Sequence, residues 1–173
     1  MSPQKYVRLF DDLARLTKRK HSGKATRIPY HKPFGKDWDY LLFAQRPGND
    51  PRPDRVAIDD VMRRVQLRQL GDEWLELTAA AARKHLVRTI SQSLIFSSTS
   101  TGWPVDNDAA EQIARQAVTL LPSARFYTNG SFASPTASWF LDDYHPLMNA
   151  LVDTGLIVVN DRNIFMIWRE END

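Results

Sequence analysis

The chain has 173 residues, 42% hydrophobic and 25% charged, which is typical of one globular domain. It contains no cysteine, which excludes a disulfide framework, thiolate zinc sites and a cysteine nucleophile, and we expect a cytoplasmic protein. Its longest apolar runs are too short to cross a bilayer, so no membrane partner is expected.

The net charge of +2 is unevenly distributed along the chain. Residues 1–36 contain ten Lys or Arg and two acidic residues, whereas residues 37–173 contain thirteen basic and nineteen acidic residues. Such asymmetry is typical of a segment that binds an anion or folds onto its own acidic body. We therefore predict a basic arm of helix and loop over residues 1–36 and an α+β globular body over residues 37–173.

The N-terminal elements follow from apolar spacing. A helix is predicted over residues 3–19, because apolar side chains recur there at helical intervals: Tyr6, Leu9, Phe10, Leu13 and Leu16. Glycines and prolines interrupt the chain from Gly23 to Gly35, which predicts a loop up to residue 36. The stretch WDYLLFAQ, residues 38–45, predicts a buried strand.

Three further helices are predicted in the middle of the chain. The first spans residues 54–70 and ends at Gly71, with arginines in its last turns. The second follows an N-cap at Thr78 and spans residues 79–94. The third spans residues 106–122, where Asp108 and Glu111 have the spacing of a capping box.

The C-terminal third contains turn signals and strands. The pair Asn129-Gly130 predicts a hairpin turn, and Pro146 predicts a short helix that Gly155 ends. The runs LIVV and IFMIW flank a four-residue connection and are apolar on both faces, which predicts a buried β-hairpin. The predicted fold is a single α+β domain in which several amphipathic helices pack on a small, mostly antiparallel sheet that ends in a C-terminal β-hairpin.

The basic stretch over residues 18–36 is a candidate polyanion-binding segment. Lys and Arg neutralise phosphates, and aromatic rings stack on bases. The predicted contacts are Lys18, Arg19, Lys20, Lys24, Arg27, Tyr30, Lys32, Phe34 and Lys36. The alternative is a solvated loop whose aromatic residues anchor it to the core.

A second candidate surface combines aromatic and acidic residues, as proteins that occupy a partner's basic site do. We predict protein-binding roles there for Tyr127, Phe132, Trp139, Asp142 and Asp143. The alternative is that the aromatic residues belong to the core.

Titratable side chains give only weak catalytic signals. The carboxylates of Asp142 and Asp143, with the imidazole of His145, have the chemistry of a divalent-metal site or an acid–base pair, but they also suit a helix cap. His85, beside Arg83 and Lys84, is predicted to lie on a solvated helix face. No nucleotide-binding loop, zinc-protease motif or hydrolase motif occurs, so we predict no catalytic residue, no resident metal and no cofactor.

These observations favour a non-enzymatic cytoplasmic binding protein whose partner is another protein. The predicted class is a protein antagonist, such as a bacterial immunity or inhibitor protein, that acts by surface complementarity. One alternative is a nucleic-acid-binding protein that uses residues 18–36. A second is a metal-dependent enzyme centred on Asp142, Asp143 and His145.

Overall fold

The computed structural model describes residues 10–11, 14–15, 25–27, 39–46, 50–94, 107–132 and 141–171, with the backbone alone for residues 25–27 and 39–40. Eight strands lie within these ranges: β1 (Ala25–Arg27), β2 (Asp39–Gln45), β3 (Leu75–Leu77), β4 (Arg125–Thr128), β5 (Ser131–Phe132), β6 (Leu141–Asp142), β7 (Val152–Val159) and β8 (Asn163–Glu171). The helices with described bounds are α1 (Asp54–Arg64), α2 (Ala79–Ser91) and α3 (Asn107–Thr119). A 3₁₀ turn spans Gly71–Glu73.

Six strands form one sheet in the order β1-β2-β8-β7-β4-β3, and every neighbouring pair is antiparallel. The short strands β5 and β6 pair separately. The two longest strands, β7 and β8, form the predicted C-terminal hairpin at the centre of the sheet. Asn160 closes its turn, because its side-chain oxygen accepts the backbone N–H groups of Arg162 and Asn163. The predicted α+β fold is confirmed.

Helices cover both faces of the sheet, which explains why residues 156–159 of β7 and 164–168 of β8 are all apolar. Leu156 and Phe165 point to one face, where they pack with α2, α3 and Phe10. Ile157 and Met166 point to the other face, where they pack with α1 and Trp74. Alternate side chains of a strand point to opposite faces, so a strand buried on both sides has no polar face.

Each helix turns an apolar stripe inward. On α1 the buried side chains are Ala57, Ile58, Val61 and Met62. The predicted Thr78 cap of α2 is confirmed, since its hydroxyl accepts the N–H of Ala81 at 3.2 Å. None of the helices within the described ranges is long and apolar enough to cross a membrane.

The described part of residues 1–36 contacts the body. Residues 10–11 and 14–15 are helical, in agreement with the sequence, and Phe10 is buried in the core. The loop predicted for residues 25–27 is wrong, because they form strand β1 and pair with β2 at the edge of the sheet. The division of the chain at residue 36 stays a prediction.

Two local predictions around turns are wrong. The helix predicted after Pro146 is replaced by bends up to residue 151 and then by strand β7, which contains Gly155. The β-branched residues of this run favour a strand, and that strand is buried in the core on both faces of the sheet. The Asn129-Gly130 pair does not turn a hairpin, because β4 pairs with β3 and β7 whereas β5 pairs with β6.

Two helix termini also differ from their predictions. Helix α1 ends at Arg64 rather than at residue 70, and Gly71, at φ +57°, begins the 3₁₀ turn. The capping box does not form, because Asp108 lies inside the first turn of α3 and Glu111 binds Arg83 instead. The Glu111 side chain therefore forms a tertiary ion pair with Arg83 instead of a local helix cap.

Candidate functional site

Most of the predicted polyanion contacts lie outside the described residues. They are Lys18, Arg19, Lys20, Lys24, Tyr30, Lys32, Phe34 and Lys36. Of Arg27 the structure describes the backbone, which belongs to strand β1. The role of this segment in binding a polyanion stays a prediction.

The aromatic residues of the second candidate surface are less accessible than expected. Tyr127 is buried in the core, because it lies in β4 between β3 and β7. Its hydroxyl donates to Asp54 at 3.2 Å, and burial together with this carboxylate raises the pKa of Tyr127 to about 12. Phe132 is half-buried, and Trp139 lies outside the described residues. The expected exposed ring of Tyr127 is therefore absent from the surface.

The acidic residues of that surface are exposed. Asp142 and Asp143 both project into solvent, and Asp143 adopts φ +49°. No helix follows them to be capped within the described residues 144–171. His145 contacts Glu73 instead, with 3.2 Å between Nδ1 and Oε2. Across the described ranges, no group of three or more His, Asp or Glu side chains is arranged to hold a metal ion.

His85 is buried rather than solvated, so that prediction is wrong. The residue follows Ala82 by three positions on α2, which places its side chain on the stripe that faces the sheet. Its Nε2 lies 3.0 Å from the hydroxyl of Thr154 and 3.1 Å from that of Thr128. Burial, reinforced by the nearby charge of Arg88, lowers the pKa of His85 to about 3. The imidazole is thus neutral at physiological pH.

Asp153 forms a buried hydrogen-bonded centre that the sequence does not indicate. Its carboxylate accepts the indole N–H of Trp168 at 2.9 Å and the side-chain amide of Asn129 at 3.1 Å. The backbone N–H groups of Leu147 and Met148 also donate to it. Burial raises the pKa of Asp153, and these donors oppose that effect. The arrangement fixes the turn before β7 and leaves the carboxylate enclosed.

A second ionic group joins α1 to the end of the sheet. Asp54, at the first position of α1, accepts hydrogen bonds from Arg46 at 2.6 Å and from Arg125. Although burial alone would raise it, these two guanidinium groups hold the pKa of Asp54 below its ordinary value. Arg46 also donates to the carbonyl of Arg52 at 2.8 Å. These internal bonds anchor the segment that leads into α1.

An accessible charged group is the arginine cluster, which we define as Arg52, Arg63 and Arg64. All three guanidinium groups approach the same carboxylate, that of Asp60. The arginine side chains are 38%, 66% and 38% exposed, whereas that of Asp60 is only 11% exposed. The cluster therefore presents positive groups to solvent above a carboxylate that lies closer to the helix.

Asp50 orients one member of the arginine cluster. Its carboxylate accepts the Nε and Nη2 hydrogens of Arg52, both at 2.8 Å. These bonds lower the pKa of Asp50 to about 2. The remaining terminal nitrogen, Nη1, lies 3.8 Å from Asp60 Oδ2. Arg52 is thus held in one orientation next to the other two arginines.

Further apolar and charged groups lie on α1 and just after it. Val56 is 47% exposed and precedes Asp60 by one helical turn. Arg55 faces Asp72 at 3.7 Å, and Arg68 faces Glu73 at 3.6 Å. In the sequence the arginines of α1 suggested only favourable helix-end charges. The signal that could have identified the cluster is the i+3 and i+4 spacing of Arg63 and Arg64 from Asp60.

Comparison with protein-family models, with curated proteins and with solved structures gave no match to this chain. The fold and the site define an α+β protein with an antiparallel sheet between helices and an arginine cluster on α1. Its function is therefore inferred from this surface itself.

Proposed function

We propose that the protein binds nucleic acid through its phosphate backbone, and that the arginine cluster of α1 is a principal contact. The observation that carries the proposal is the convergence of Arg52, Arg63 and Arg64 at one exposed place, with Asp60 beneath them. The planar guanidinium fork matches two phosphate oxygens as it matches a carboxylate. Such contacts give affinity without sequence preference.

Two further features support a polyanion as the partner. Val56, next to the cluster, offers an apolar contact for sugar or base atoms. The basic stretch over residues 18–36 has seven Lys or Arg and no acid, so its composition also suits a polyanion. A cytoplasmic location, where nucleic acid is accessible, is part of the proposal.

The first prediction concerns Arg63 and Arg64. We expect the double variant R63Q/R64Q to bind a fluorescein-labelled DNA strand of about 20 nucleotides at least about tenfold more weakly than the wild type at low salt. The salt dependence should also become shallower, by roughly 0.7 to 0.9 in logarithmic slope for each phosphate that the variant no longer neutralises. Fluorescence anisotropy against single-stranded and duplex DNA measures both effects.

The matched control is K84Q/R115Q. These residues are exposed on α2 and α3, on the opposite side of the sheet, so the variant removes the same charge from another surface. We expect it to retain most of the affinity. Equal decreases in both double variants would reduce the proposal to a general effect of net charge. A wild-type protein that binds no DNA at low salt would exclude it.

The second candidate function is a protein antagonist, and the exposed pair Asp142 and Asp143 supports it. Exposed carboxylates at a tight turn suit the basic site of another protein. The measurement that separates the candidates is a nuclease-treated pull-down. Recovery of one protein that disappears with D142N/D143N supports the antagonist, whereas recovery that depends on nucleic acid supports the first proposal.

A further inference from the structure

The Asp60 carboxylate has an unusual set of neighbours. Arg63 and Arg64 follow it by three and four positions on α1, and each contacts a different carboxylate oxygen. Arg52 reaches the same group from the turn that precedes the helix, with 3.8 Å between Nη1 and Oδ2. The Asp60 carboxylate therefore contacts three guanidinium groups.

A second carboxylate among the described residues, that of Asp50, lies beside Arg52. Asp50 is almost completely covered and makes a two-point contact with the Nε and Nη2 side of Arg52. That contact leaves Nη1 directed towards Asp60. The Arg63 side chain is 66% exposed, so its outer side faces solvent. A second anion that approached from solvent would meet guanidinium groups before it met either carboxylate.

A carboxylate and a phosphodiester are similar partners for arginine. Each carries one negative charge on two oxygens, and each accepts paired hydrogen bonds from a guanidinium group. Exposed ion pairs are weak and are screened by salt, so a partner that brings several anionic groups at once can replace them. Since Asp60 is fixed on the helix that carries Arg63 and Arg64, it competes with any phosphate that approaches them.

We propose that Asp60 is an internal competitor that occupies the arginine cluster in the free protein, and that a backbone phosphate displaces it on binding. The inference rests on the proposed function and deepens it, because it assigns the place of one phosphate and a residue that limits affinity. Asp60 keeps the arginines in a defined arrangement. It also sets the density of negative charge that an anion must have in order to displace it. Isolated monovalent anions are too weak to displace it, whereas a polyphosphate chain supplies many phosphates at once.

The test compares D60N with D72N. Each variant removes one negative charge that lies beside an arginine of α1, but Asp72 is fully exposed and faces Arg55, at 3.7 Å, outside the arginine cluster. With the same labelled DNA strand, at about 50 mM salt, D60N should bind about fivefold more tightly than the wild type. D72N should bind less than about twofold more tightly, because a single exposed charge acts through a screened field.

A third variant shows whether the increase in DNA affinity of D60N depends on Arg63 and Arg64. In the R63Q/R64Q background, the D60N substitution should give no increase in affinity. Equal affinities of D60N and D72N, or an undiminished gain without the two arginines, would overturn the inference while the proposed function stands. If the wild type binds DNA no better than R63Q/R64Q, the proposed function itself fails.

Discussion

Gly155 lies opposite Trp168 in the β7–β8 pair, and the indole of Trp168 covers it. A Cβ atom added to Gly155 would meet the carbonyl oxygen of Ile167 at 2.2 Å, and the Cα and Cε3 of Trp168 at 2.6 and 2.7 Å. Two of these three atoms belong to the backbone of the neighbouring strand, so they cannot move aside by a rotamer change. The glycine is needed for space rather than for a positive φ angle.

We expect Gly155→Ala to destabilise the protein by about 3 kcal/mol or more, because an overpacked core must shift backbone as well as side chains. Urea unfolding followed by tryptophan fluorescence measures the change. Gly71→Ala is the matched control. Gly71 has φ +57°, but an added Cβ meets only the Asp59 carboxylate, at 4.0 Å. Its cost should stay near the ~1–2 kcal/mol of the left-handed conformation, and a G155A variant as stable as G71A would contradict the packing argument.

The same residue shows what the sequence can reveal at this scale. Gly155 follows a short run with helical apolar spacing, and a glycine in that position commonly ends a helix. The features that decide otherwise are the ring of Trp168, on the neighbouring strand, and the enclosed carboxylate of Asp153. Apolar spacing within a short window of sequence reveals neither contact.

At the scale of elements, α2 shows how a helix is fixed at both ends. The hydroxyl of Thr78 accepts the Ala81 N–H at its start. At its end, Arg169 of β8 donates to the carbonyls of Thr89 and Gln92, both at 2.9 Å. The first contact is local and was predicted from sequence. The second joins residues that are 80 and 77 positions apart, and only the paired strands bring them together.

We expect Thr78→Ala to lower the free energy of unfolding by about 1 kcal/mol, because the N–H of Ala81 loses its acceptor. Thr119→Ala is the control at the end of α3. Its exposed hydroxyl donates back to the Arg115 carbonyl, which already takes part in the hydrogen bonding of the helix. The free energy of unfolding should therefore decrease by only a few tenths of a kcal/mol. Thermal unfolding of the two variants in parallel measures the difference. Equal shifts would show that the Thr78 cap contributes nothing specific.

The arrangement of elements was harder to predict than the elements themselves. The strand at residues 38–45, the helix after Thr78 and the C-terminal hairpin all follow from local patterns, and all are present. The strand order was not accessible, since β2 pairs with β8 across more than a hundred residues. The arginine cluster depends on Arg52, which the turn before α1 folds back towards Asp60. The sequence therefore indicates only Arg63 and Arg64, which are two of the three members of the arginine cluster.

At the scale of the whole molecule, polar side chains are enclosed on both faces of the sheet. On the α1 face, Asp153 is held by the donors of Asn129, Leu147, Met148 and Trp168. On the opposite face, His85 lies between α2 and the hydroxyls of Thr128 and Thr154, next to the ring of Phe132. A charged neighbour of the imidazole is Arg88, which packs over the same ring at 4.4 Å. A positive neighbour and a buried site both disfavour the protonated imidazole.

This enclosure makes the stability of the fold depend on pH. The pKa of His85 is about 3 in the folded state, below its ordinary value of 6.5. Between these values the unfolded chain binds a proton that the folded protein does not. The contribution of the neutral His85 imidazole to the free energy of unfolding is therefore fully present above pH 6.5, and it decreases as the pH falls towards 3. Its slope approaches about 1.4 kcal/mol per pH unit, so about 2 kcal/mol should disappear between pH 7 and pH 5.

His85→Gln should abolish this part of the pH dependence, because the amide keeps a polar contact with the two threonines without binding a proton. Urea unfolding at pH 7 and pH 5 would then show a smaller decrease in stability for the variant than for the wild type, whatever its stability at pH 7. His145→Gln, at the half-exposed contact with Glu73, is the control and should leave the wild-type decrease in place.

A proton NMR titration of the wild type provides a second measurement that does not depend on a variant. Among the four histidines, one imidazole should remain neutral down to about pH 4.5, and four titrations near the ordinary pKa would show that His85 is not enclosed.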